Sequence, residues 1–187
     1  MKINGIEVYP VWGGHRNYLF VVIDTDEGIH GVGESGLTGR ELAVAGVIEH
    51  LKPALIGQDP GRIEHIWQYI SRGAFFPAEG AVSAALSAID IALWDIKGKA
   101  LNVPIYELLG GLARDKVVCY PHNNGHNLDI EPLVESCLKT KAEGWKFARW
   151  GFPQRENLLE PAEGVRASIK QFEAVGGAGG GEIELCF

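Results

Sequence analysis

The stretch GAVSAALSAIDIALWDIKG, residues 80–98, decides the fold because apolar side chains cover nearly every face of the helix it predicts. Its alanines repeat at helical spacing and form a stripe of small side chains, with bulkier aliphatic residues beside it. A helix that is apolar all round is buried, and small side chains let neighbouring backbones come close. The stretch is too short and too charged to span a membrane. We therefore expect other elements to pack directly on it.

Two carboxylates, Asp90 and Asp95, interrupt this apolar surface. A buried carboxylate needs a cation or backbone N–H donors, and Lys97, Lys99 or Arg114 could supply the cation. Structural ion pairs are common in proteins. We therefore favour a structural role, in which these aspartates tie the helix to a neighbour, over a catalytic one.

The composition is that of an ordinary soluble globular protein, with 46% hydrophobic and 22% charged residues among 187. The net charge of −7 disfavours nucleic acid or an anionic membrane as a partner, because phosphate binding needs clustered Lys and Arg. The first residues, MKINGIEVYPVW, lack the unbroken apolar core of a signal peptide. Free thiols and a cytoplasmic location are predicted from the widely spaced Cys119, Cys137 and Cys186.

Upstream of the buried helix, the sequence predicts a small antiparallel sheet. Residues 1–10 alternate loosely between apolar and polar side chains, as an edge strand does. Two further strand-like runs, at 18–25 and 29–34, flank the turn residues Asp26-Glu27-Gly28. Such a turn between two strand-like runs indicates a hairpin.

Two amphipathic helices are predicted between this sheet and the buried helix. A capping box from Thr38 to Glu41 opens the first, and Asp59 followed by Pro60 opens the second. The predicted fold class of this part is therefore α+β, with a three-stranded antiparallel sheet beside a helical bundle centred on residues 80–98.

Two loops in this part carry aromatic side chains. The loop VWGGHRN is predicted to be mobile because of its two glycines. The loop GAFFPAE either plugs the core or lines a ligand, because loops often carry function but apolar residues usually pack. The candidate ligand-contacting side chains of the two loops are Trp12, His15, Arg16, Phe75 and Phe76.

After residue 113 the pattern changes to alternating strands and helices, which is typical of a parallel α/β sheet. Strands are predicted at 117–120, 145–150 and 183–187, and helices at 132–143 and 161–175. We place a domain boundary there, with one domain at 1–113 and a second at 114–187. Both faces of a parallel sheet must be buried, so the second domain is predicted to be truncated after its third strand.

Polar residues follow the first two strands of this second domain, where the functional residues of parallel α/β folds gather. His122 and Asn124 follow the first strand, and Arg149 lies at the end of the second. A guanidinium there suits a carboxylate held by two hydrogen bonds, and the alternative is that its stem packs on Trp150. His122 is either a ligand contact or an ordinary loop histidine.

Familiar catalytic motifs are absent from the sequence. Residues 176–181 are glycine-rich, but they lie between a helix and a strand, so a flexible connector is favoured over a phosphate-binding loop. No pair of carboxylates has metal-ligand spacing at the predicted strand ends. We therefore predict no metal ligand within this chain.

Four stretches resemble one known family: IDTDEGIHGVGE (23–34), LIGQDPGRIEHIWQ (55–68), AIDIALWDIKGKALNVPIYELLGG (88–111) and EGWKFARWG (143–151). They resemble the N-terminal half of an enzyme of the enolase superfamily, in its mandelate racemase/muconate lactonizing enzyme subgroup. Within that subgroup they are most similar to sugar-acid dehydratases of the galactonate dehydratase type. The resemblance covers nearly the whole chain. It implies a capping domain at 1–113, followed at 114–187 by the start of a (β/α) barrel.

The resemblance also implies roles for residues at matching positions. Loops at 12–17 and 74–79 would close over the substrate and set specificity. Racemases of the subgroup carry a Lys-x-Lys pair at the end of the second barrel strand, and its second lysine is a base. Here that place holds Arg149-Trp150-Gly151, which leaves Arg149 as an electrostatic or carboxylate-binding group. This departure disfavours racemisation and fits a dehydratase.

Three carboxylates at the ends of the third, fourth and fifth barrel strands hold Mg²⁺ in this family. These positions, the histidine acid and the His-Asp base all fall beyond Phe187. The resemblance therefore implies Mg²⁺ in the parent enzyme and none bound by this chain alone.

Two classes of function are compatible with these observations. In the first, the parent polypeptide is a Mg²⁺-dependent dehydratase that removes the proton α to a sugar-acid carboxylate and expels the β-hydroxyl. A racemase, epimerase or cycloisomerase of the same superfamily is the enzymatic alternative. In the second, the chain is a non-catalytic binding or oligomerisation module. The expected partners are a small acid sugar and, for the parent, further copies of itself, with no nucleic acid and no membrane.

Overall fold

The structure is a computed structural model that describes residues 1–123, 129–151, 161–179 and 184–186. The chain divides into two compact units, Met1–Ala113 and Arg114–Phe187. Each unit has a hydrophobic core of its own. Among the described residues, no helix combines the length and the apolar character that crossing a membrane requires.

The first unit contains the predicted three-stranded antiparallel sheet. Its strands are β1 (Ile3–Trp12), β2 (Asn17–Thr25) and β3 (His30–Ser35), in the order β1-β2-β3. Leu19, Val21 and Ile23 on β2 point to the core, and the residues between them are half-buried, as in a sheet with one covered face. The turn before β3 contains Gly28, whose φ of 76° favours glycine. The predicted α+β capping fold is confirmed for this unit.

The helices that follow the sheet are α1 (Glu41–Leu55), α2 (Ile63–Arg72), α3 (Ala81–Leu101) and α4 (Ile105–Leu108). The predicted caps of α1 and α2 are wrong. The Glu41 carboxylate accepts the backbone N–H of Gly39 at 2.8 Å, which lowers the pKa of Glu41, and the Thr38 side chain caps nothing. Asp59 accepts the N–H of Gly61 at 2.8 Å in a turn before α2 begins. Short polar side chains bond the nearest free N–H of a turn, and this competes with capping.

Helix α3 is the buried centre of the first unit, as predicted. Its buried residues are Ala85, Leu86, Ala88, Ile89, Ala92, Leu93, Ile96 and Gly98. It packs directly on the backbone of β3 because two of the three inward positions of that strand are glycines. A Cβ added to Gly33 would lie 1.9 Å from the carbonyl oxygen of Ala88, and one added to Gly31 would lie 2.0 Å from that of Ala92. Any side chain at these positions would push the helix off the sheet.

Asp95 and Lys99 fasten α3 to the outer edge of β3. The Asp95 carboxylate accepts hydrogen bonds from the Lys99 ammonium at 2.7 Å and from the backbone N–H of Val32 at 2.9 Å. Lys99 also donates to the carbonyl oxygen of His30 at 2.8 Å. Backbone groups of an edge strand are open to pairing with another chain, and these two side chains occupy part of that edge. The predicted structural ion pair is confirmed for Asp95.

The predicted ion pair is wrong for Asp90. Within the described ranges, no basic nitrogen lies near enough to pair with this carboxylate. Burial, and after it the nearby Glu64 carboxylate, raise the pKa of Asp90, although Trp94 donates a hydrogen bond that favours the charged form. Lys97, the expected partner nearest in sequence, lies over the Trp94 ring at 5.1 Å from its centroid.

The described elements of the second unit are α5 (Ile130–Ala142), β4 (Phe147–Arg149), α6 (Pro161–Gly179) and β5 (Glu184–Cys186). The two strands pair in parallel, as the α/β pattern predicts. The buried core of this unit consists of Leu133, Cys137, Ala148, Trp150 and Val175. Burial raises the pKa of the Cys137 thiol to about 11. Cys119 and Cys137 are both free thiols, in agreement with the prediction.

Two predicted features of the second unit are wrong. Residues 117–120 form no strand, and Val117 and Val118 are 77% and 70% exposed. The three-residue strand β4 is too short to supply backbone partners along that apolar run. The glycine-rich segment is helical as far as Gly179, where α6 ends, so the predicted connector is wrong for that part, and residues 180 and 181 lie outside the described residues. A helical glycine costs only about 1 kcal/mol relative to alanine, so a helix anchored by packing can continue through it.

The close contact between β3 and α3 predicts opposite effects for two glycine substitutions. Gly33→Ala should lower the free energy of unfolding by about 1–3 kcal/mol, because its Cβ would overlap the α3 backbone. Gly46→Ala, at an open helical position with no neighbouring atom within 4 Å, should raise it by up to about 1 kcal/mol. Urea unfolding followed at the amide signals of β2 measures both. Equal effects would contradict the contact.

Substituting the two aspartates of α3 by asparagine should change the free energy of unfolding in opposite directions at neutral pH. Because folding raises the pKa of Asp90, ionisation of this group opposes folding above that pKa. Asp90→Asn should therefore raise the free energy of unfolding at pH 7, by less than about 1 kcal/mol since the side chain is partly solvated. The gain should vanish at about pH 3, where the carboxyl is protonated in both states.

Asp95→Asn is the matched variant on the same helix. It should lower the free energy of unfolding at pH 7 by about 1 kcal/mol, because it removes the charge that pairs with Lys99. Thermal unfolding at both pH values measures the two effects. If Asp90→Asn and Asp95→Asn both lower the free energy of unfolding at pH 7, Asp90 has a cation partner and the expectation for it is wrong.

Candidate functional site

The candidate site lies at the carboxyl end of β4. Residues 122 and 149 form an isolated parallel bridge, so the backbone itself brings His122 beside Arg149. The N–H of Asn123 donates to the carbonyl oxygen of Arg149 at 2.6 Å. The sequence predicted both side chains as strand-end residues, and the structure brings them together. Asn124, the third predicted residue of this group, lies outside the described residues.

The Arg149 guanidinium contacts His122 through one nitrogen. Its Nη1 atom lies 3.0 Å from Nδ1 and 2.9 Å from Nε2 of the imidazole. A guanidinium can only donate hydrogen bonds, and which ring nitrogen of His122 accepts depends on the tautomer of the imidazole. Within the described ranges, the Nε and Nη2 atoms of Arg149 make no hydrogen bond and no carboxylate pairs with this cation. Two parallel donors are therefore available for a carboxylate.

Tyr120 completes this group of side chains. The central carbon of the Arg149 guanidinium lies 5.5 Å from the centroid of the Tyr120 ring, within the range of a cation–π contact. The ring of His122 lies 6.1 Å from the same centroid. Sequence reasoning missed Tyr120, although its position two residues before His122 places both side chains on the same side of an extended chain.

Asn123 anchors the strand end to α5, and sequence reasoning missed it too. Its Oδ1 atom accepts hydrogen bonds from the hydroxyls of Ser136 and Thr140, both at 2.8 Å. Asn123 is only 6% exposed, and its backbone holds Arg149 as described. The spacing of Ser136 and Thr140, one helical turn apart, was the available signal. This arrangement fixes the backbone from which His122 and Arg149 project.

Trp150 does not hold Arg149, so the alternative in which the arginine stem packs on this indole is wrong. The Trp150 side chain is fully buried, and its indole N–H donates to Oε1 of Gln171 at 3.2 Å. Its ring lies 4.8 Å from the ring of Phe172. Successive residues of a strand point to opposite faces, which directs Trp150 to the helices and leaves Arg149 free for His122.

The loop residues predicted in the first unit are exposed. Trp12 is 64% exposed at the end of β1, and the guanidinium of Arg16 lies 4.7 Å from the centroid of the Tyr18 ring. Phe75 and Phe76 are 94% and 78% exposed and contact each other edge to face. The alternative in which these phenylalanines plug the core is therefore wrong. His15 also lies edge-on to a ring, that of its near neighbour in β2.

The described residues do not fit a magnesium ion. Among them, no cluster of three or more His, Cys, Asp or Glu side chains could hold a metal. Hard divalent cations need several oxygen ligands, whereas the end of β4 offers an imidazole and a guanidinium that would repel a cation. A separate cleft between α2 and α3 is lined by Glu64, Asp90 and Lys97. It lies at no strand end, and the site at β4 offers the stronger chemistry.

Comparisons with known proteins agree with this fold. The model of the mandelate racemase/muconate lactonizing enzyme N-terminal domain matches residues 13–110. A D-mannonate dehydratase of Novosphingobium aromaticivorans is 46% identical over 181 residues, covering 90% of this chain and 44% of that protein. A D-galactonate dehydratase family member of Marinomonas sp. is 45% identical over 150 residues, covering 80% of this chain and 36% of the relative.

A solved structure shows the same likeness. An enolase from Pantoea ananatis, with bound D-gluconate and Mg, has a TM-score of 0.83 and 29% identity, covering 98% of this chain and 52% of that one. The chain thus spans about half the length of this structure and less than half that of the curated relatives. Since the domain model covers more than half of the 187 residues, the chain belongs to the mandelate racemase/muconate lactonizing enzyme family of the enolase superfamily.

Proposed function

We propose that this chain forms the capping domain and the first β/α units of an acid-sugar dehydratase. The observation that carries the proposal is that the Nε–Nη2 edge of the Arg149 guanidinium, at the end of β4 beside His122, bonds to none of the described residues. Acid sugars are carboxylates that bear hydroxyl groups on neighbouring carbons. The two side chains match both parts of such a molecule. The paired N–H donors of the guanidinium suit the carboxylate, and the imidazole suits a hydroxyl.

In the proposed reaction, a base removes the proton α to the carboxylate, an acid protonates the β-hydroxyl so that it leaves as water, and the enol that results tautomerises to a 2-keto acid. The α-proton is weakly acidic, so the negative charge that develops on the carboxylate must be stabilised. Arg149 supplies a fixed positive charge for this purpose. It keeps its proton at any physiological pH, so it cannot be the base. The imidazole of His122 is the group that we propose to hydrogen-bond with a substrate hydroxyl.

The arginine at position 149 also argues against racemisation, the alternative activity. A racemase needs a base on each face of the carbon that loses the proton, and a lysine is suited to that role because its pKa shifts when it is buried. The corresponding strand end here carries a guanidinium, so we propose dehydration over racemisation or epimerisation. Cycloisomerisation is likewise not favoured by any contact at this strand end.

We propose that Mg²⁺ belongs to the whole enzyme. No cluster of side chains among the described residues could hold it, so its carboxylate ligands would come from other parts of the polypeptide. We further propose that the exposed loop residues Trp12, His15, Arg16, Phe75 and Phe76 contact the substrate. Support for this comes from the phenylalanine pair, because two adjacent and largely exposed aromatic rings are unusual unless something covers them.

We also propose that the whole enzyme is a homo-oligomer and cytoplasmic, with no nucleic-acid or membrane partner. Tyr9, Val11 and Val32 lie on the face of the sheet that points away from α3, and each is 40–45% exposed. An apolar sheet face of this kind suits a protein contact. The free thiols Cys119 and Cys137 fit a reducing compartment, and the net charge of −7 opposes binding to polyanions.

A chimera tests the proposed activity. Residues 1–187 would replace the matching part of the Novosphingobium D-mannonate dehydratase, and the product would be assayed with Mg²⁺ on D-mannonate and D-gluconate for a 2-keto acid. We expect turnover, and we expect Arg149→Lys to lower kcat/KM by about tenfold or more, since lysine lacks the planar fork. The exposed Arg166→Lys is the matched control and should stay within about twofold. A folded chimera without turnover, or one indifferent to Arg149→Lys, would contradict the proposal.

The 187-residue chain by itself should show neither dehydratase turnover nor saturable micromolar binding of Mg²⁺. The reason is that the oxygen ligands required by a hard cation do not converge among the described residues. Calorimetric titration with Mg²⁺ and an assay of 2-keto product measure these two properties, with the chimera as the positive control. Turnover above a heat-killed sample would show that the chain contains a complete site.

A further inference from the structure

We propose that Tyr120 is a positioning residue, which holds the Arg149 guanidinium so that its Nε–Nη2 edge faces a substrate carboxylate. The proposal rests on the carboxylate-binding role proposed for Arg149. An arginine side chain has many rotamers, and ordering it costs conformational entropy. Two contacts order this one: Nη1 lies within 3.0 Å of both ring nitrogens of His122, and the central carbon of the guanidinium lies over the Tyr120 ring, 5.5 Å from its centroid.

An aromatic ring is suited to positioning Arg149 because it does not occupy any of the N–H donors of the guanidinium. A carboxylate or amide at position 120 would accept N–H bonds from Arg149 and occupy the donors that the substrate needs. The face of a ring attracts the cation through its π electrons and leaves all the N–H groups available. With Nη1 directed to His122, the two remaining donors stay parallel and unoccupied by any residue in the described part of the chain.

Tyr120 contacts Arg149 and His122 through its ring and not through its hydroxyl. The phenol is 43% exposed, and its two ring contacts are the 5.5 Å approach of the guanidinium and the 6.1 Å approach of the imidazole. No hydrogen bond joins its hydroxyl to a residue within the described ranges. Tyr120→Phe should therefore keep the function that Tyr120→Leu loses, which separates a positioning role from a general loss of apolar bulk.

The experiment uses the 187-residue chain labelled with ¹⁵N and follows the Nε–Hε signal of Arg149, assigned with Arg149→Lys. A proton held near a ring face is shifted upfield, and we expect this shift in the unaltered chain and in Tyr120→Phe but not in Tyr120→Leu. Titration with D-gluconate should move the signal in all three. The dissociation constant should rise about two- to fivefold in Tyr120→Leu, as expected for an exposed cation–π contact, and should be unchanged in Tyr120→Phe.

The outcomes separate this proposal from the proposed function. Equal D-gluconate affinity in all three proteins would overturn the role of Tyr120 and leave carboxylate binding by Arg149 intact. An Arg149 signal that D-gluconate does not move in the unaltered chain would instead overturn the carboxylate-binding role, and with it this proposal. The amide signals of Asn123 and Trp150 report on the fold of the strand end. If they move as far in Tyr120→Phe as in Tyr120→Leu, the effect is structural and the positioning role is wrong.

Discussion

The contact between β3 and α3 is the constraint on which the first unit depends. Gly31 and Gly33 present bare backbone to the carbonyl oxygens of Ala92 and Ala88, at distances that admit no Cβ. Dispersion attraction falls off steeply with separation, so a helix lying this close to a strand gains contacts that a larger side chain would prevent. The same approach lets Asp95 reach the N–H of Val32. The glycines of β3 and the Asp95–Lys99 ion pair therefore act together to hold α3 against β3.

Hydrogen bonds between polar groups have the corresponding role in the second unit, where they join the end of β4 to α5. Asn123 takes two hydroxyl donors from α5 and gives its own N–H to Arg149, while Trp150 is held in the core by its bond to Gln171. Satisfied buried polar atoms such as Asn123 Oδ1 rigidify a structure, although the Nδ2 atom of the same amide has no hydrogen-bond partner among the described residues. The consequence for function is that the strand end carrying His122 and Arg149 has little freedom, which favours a preorganised binding site.

Much of the fold could be predicted because local signals and burial agreed. The alanine stripe predicted α3, and the turn at Gly28 predicted the hairpin. The role of the β3 glycines could not be predicted from the sequence pattern. It depends on which helix packs against them, and this is decided by tertiary structure. Residues 117–120 were misjudged for a related reason, since an apolar run becomes a strand only where a neighbour offers backbone partners.

The candidate site was predictable in part. The position of Arg149 could be predicted because it ends a parallel strand, whereas His122 was placed beside it by a predicted strand that is not formed, and only the bridge between residues 122 and 149 remains. Tyr120 and Asn123 carry no signal of that kind, because a tyrosine in an apolar run suggests packing and an asparagine in a loop suggests a turn. Asp90 was misjudged since a carboxylate in an apolar helix suggests a partner, and the nearest lysine in sequence instead contacts Trp94.

The claim that Arg149 recognises a carboxylate is tested most directly by comparing two ligands that differ only in charge. D-gluconate and the neutral D-gluconamide would be titrated by NMR into the chain and into its Arg149→Met variant. The account predicts that the unaltered chain prefers D-gluconate by about tenfold or more, the value of a charge-assisted fork, and that Arg149→Met shows no preference. The same preference in both proteins would contradict it.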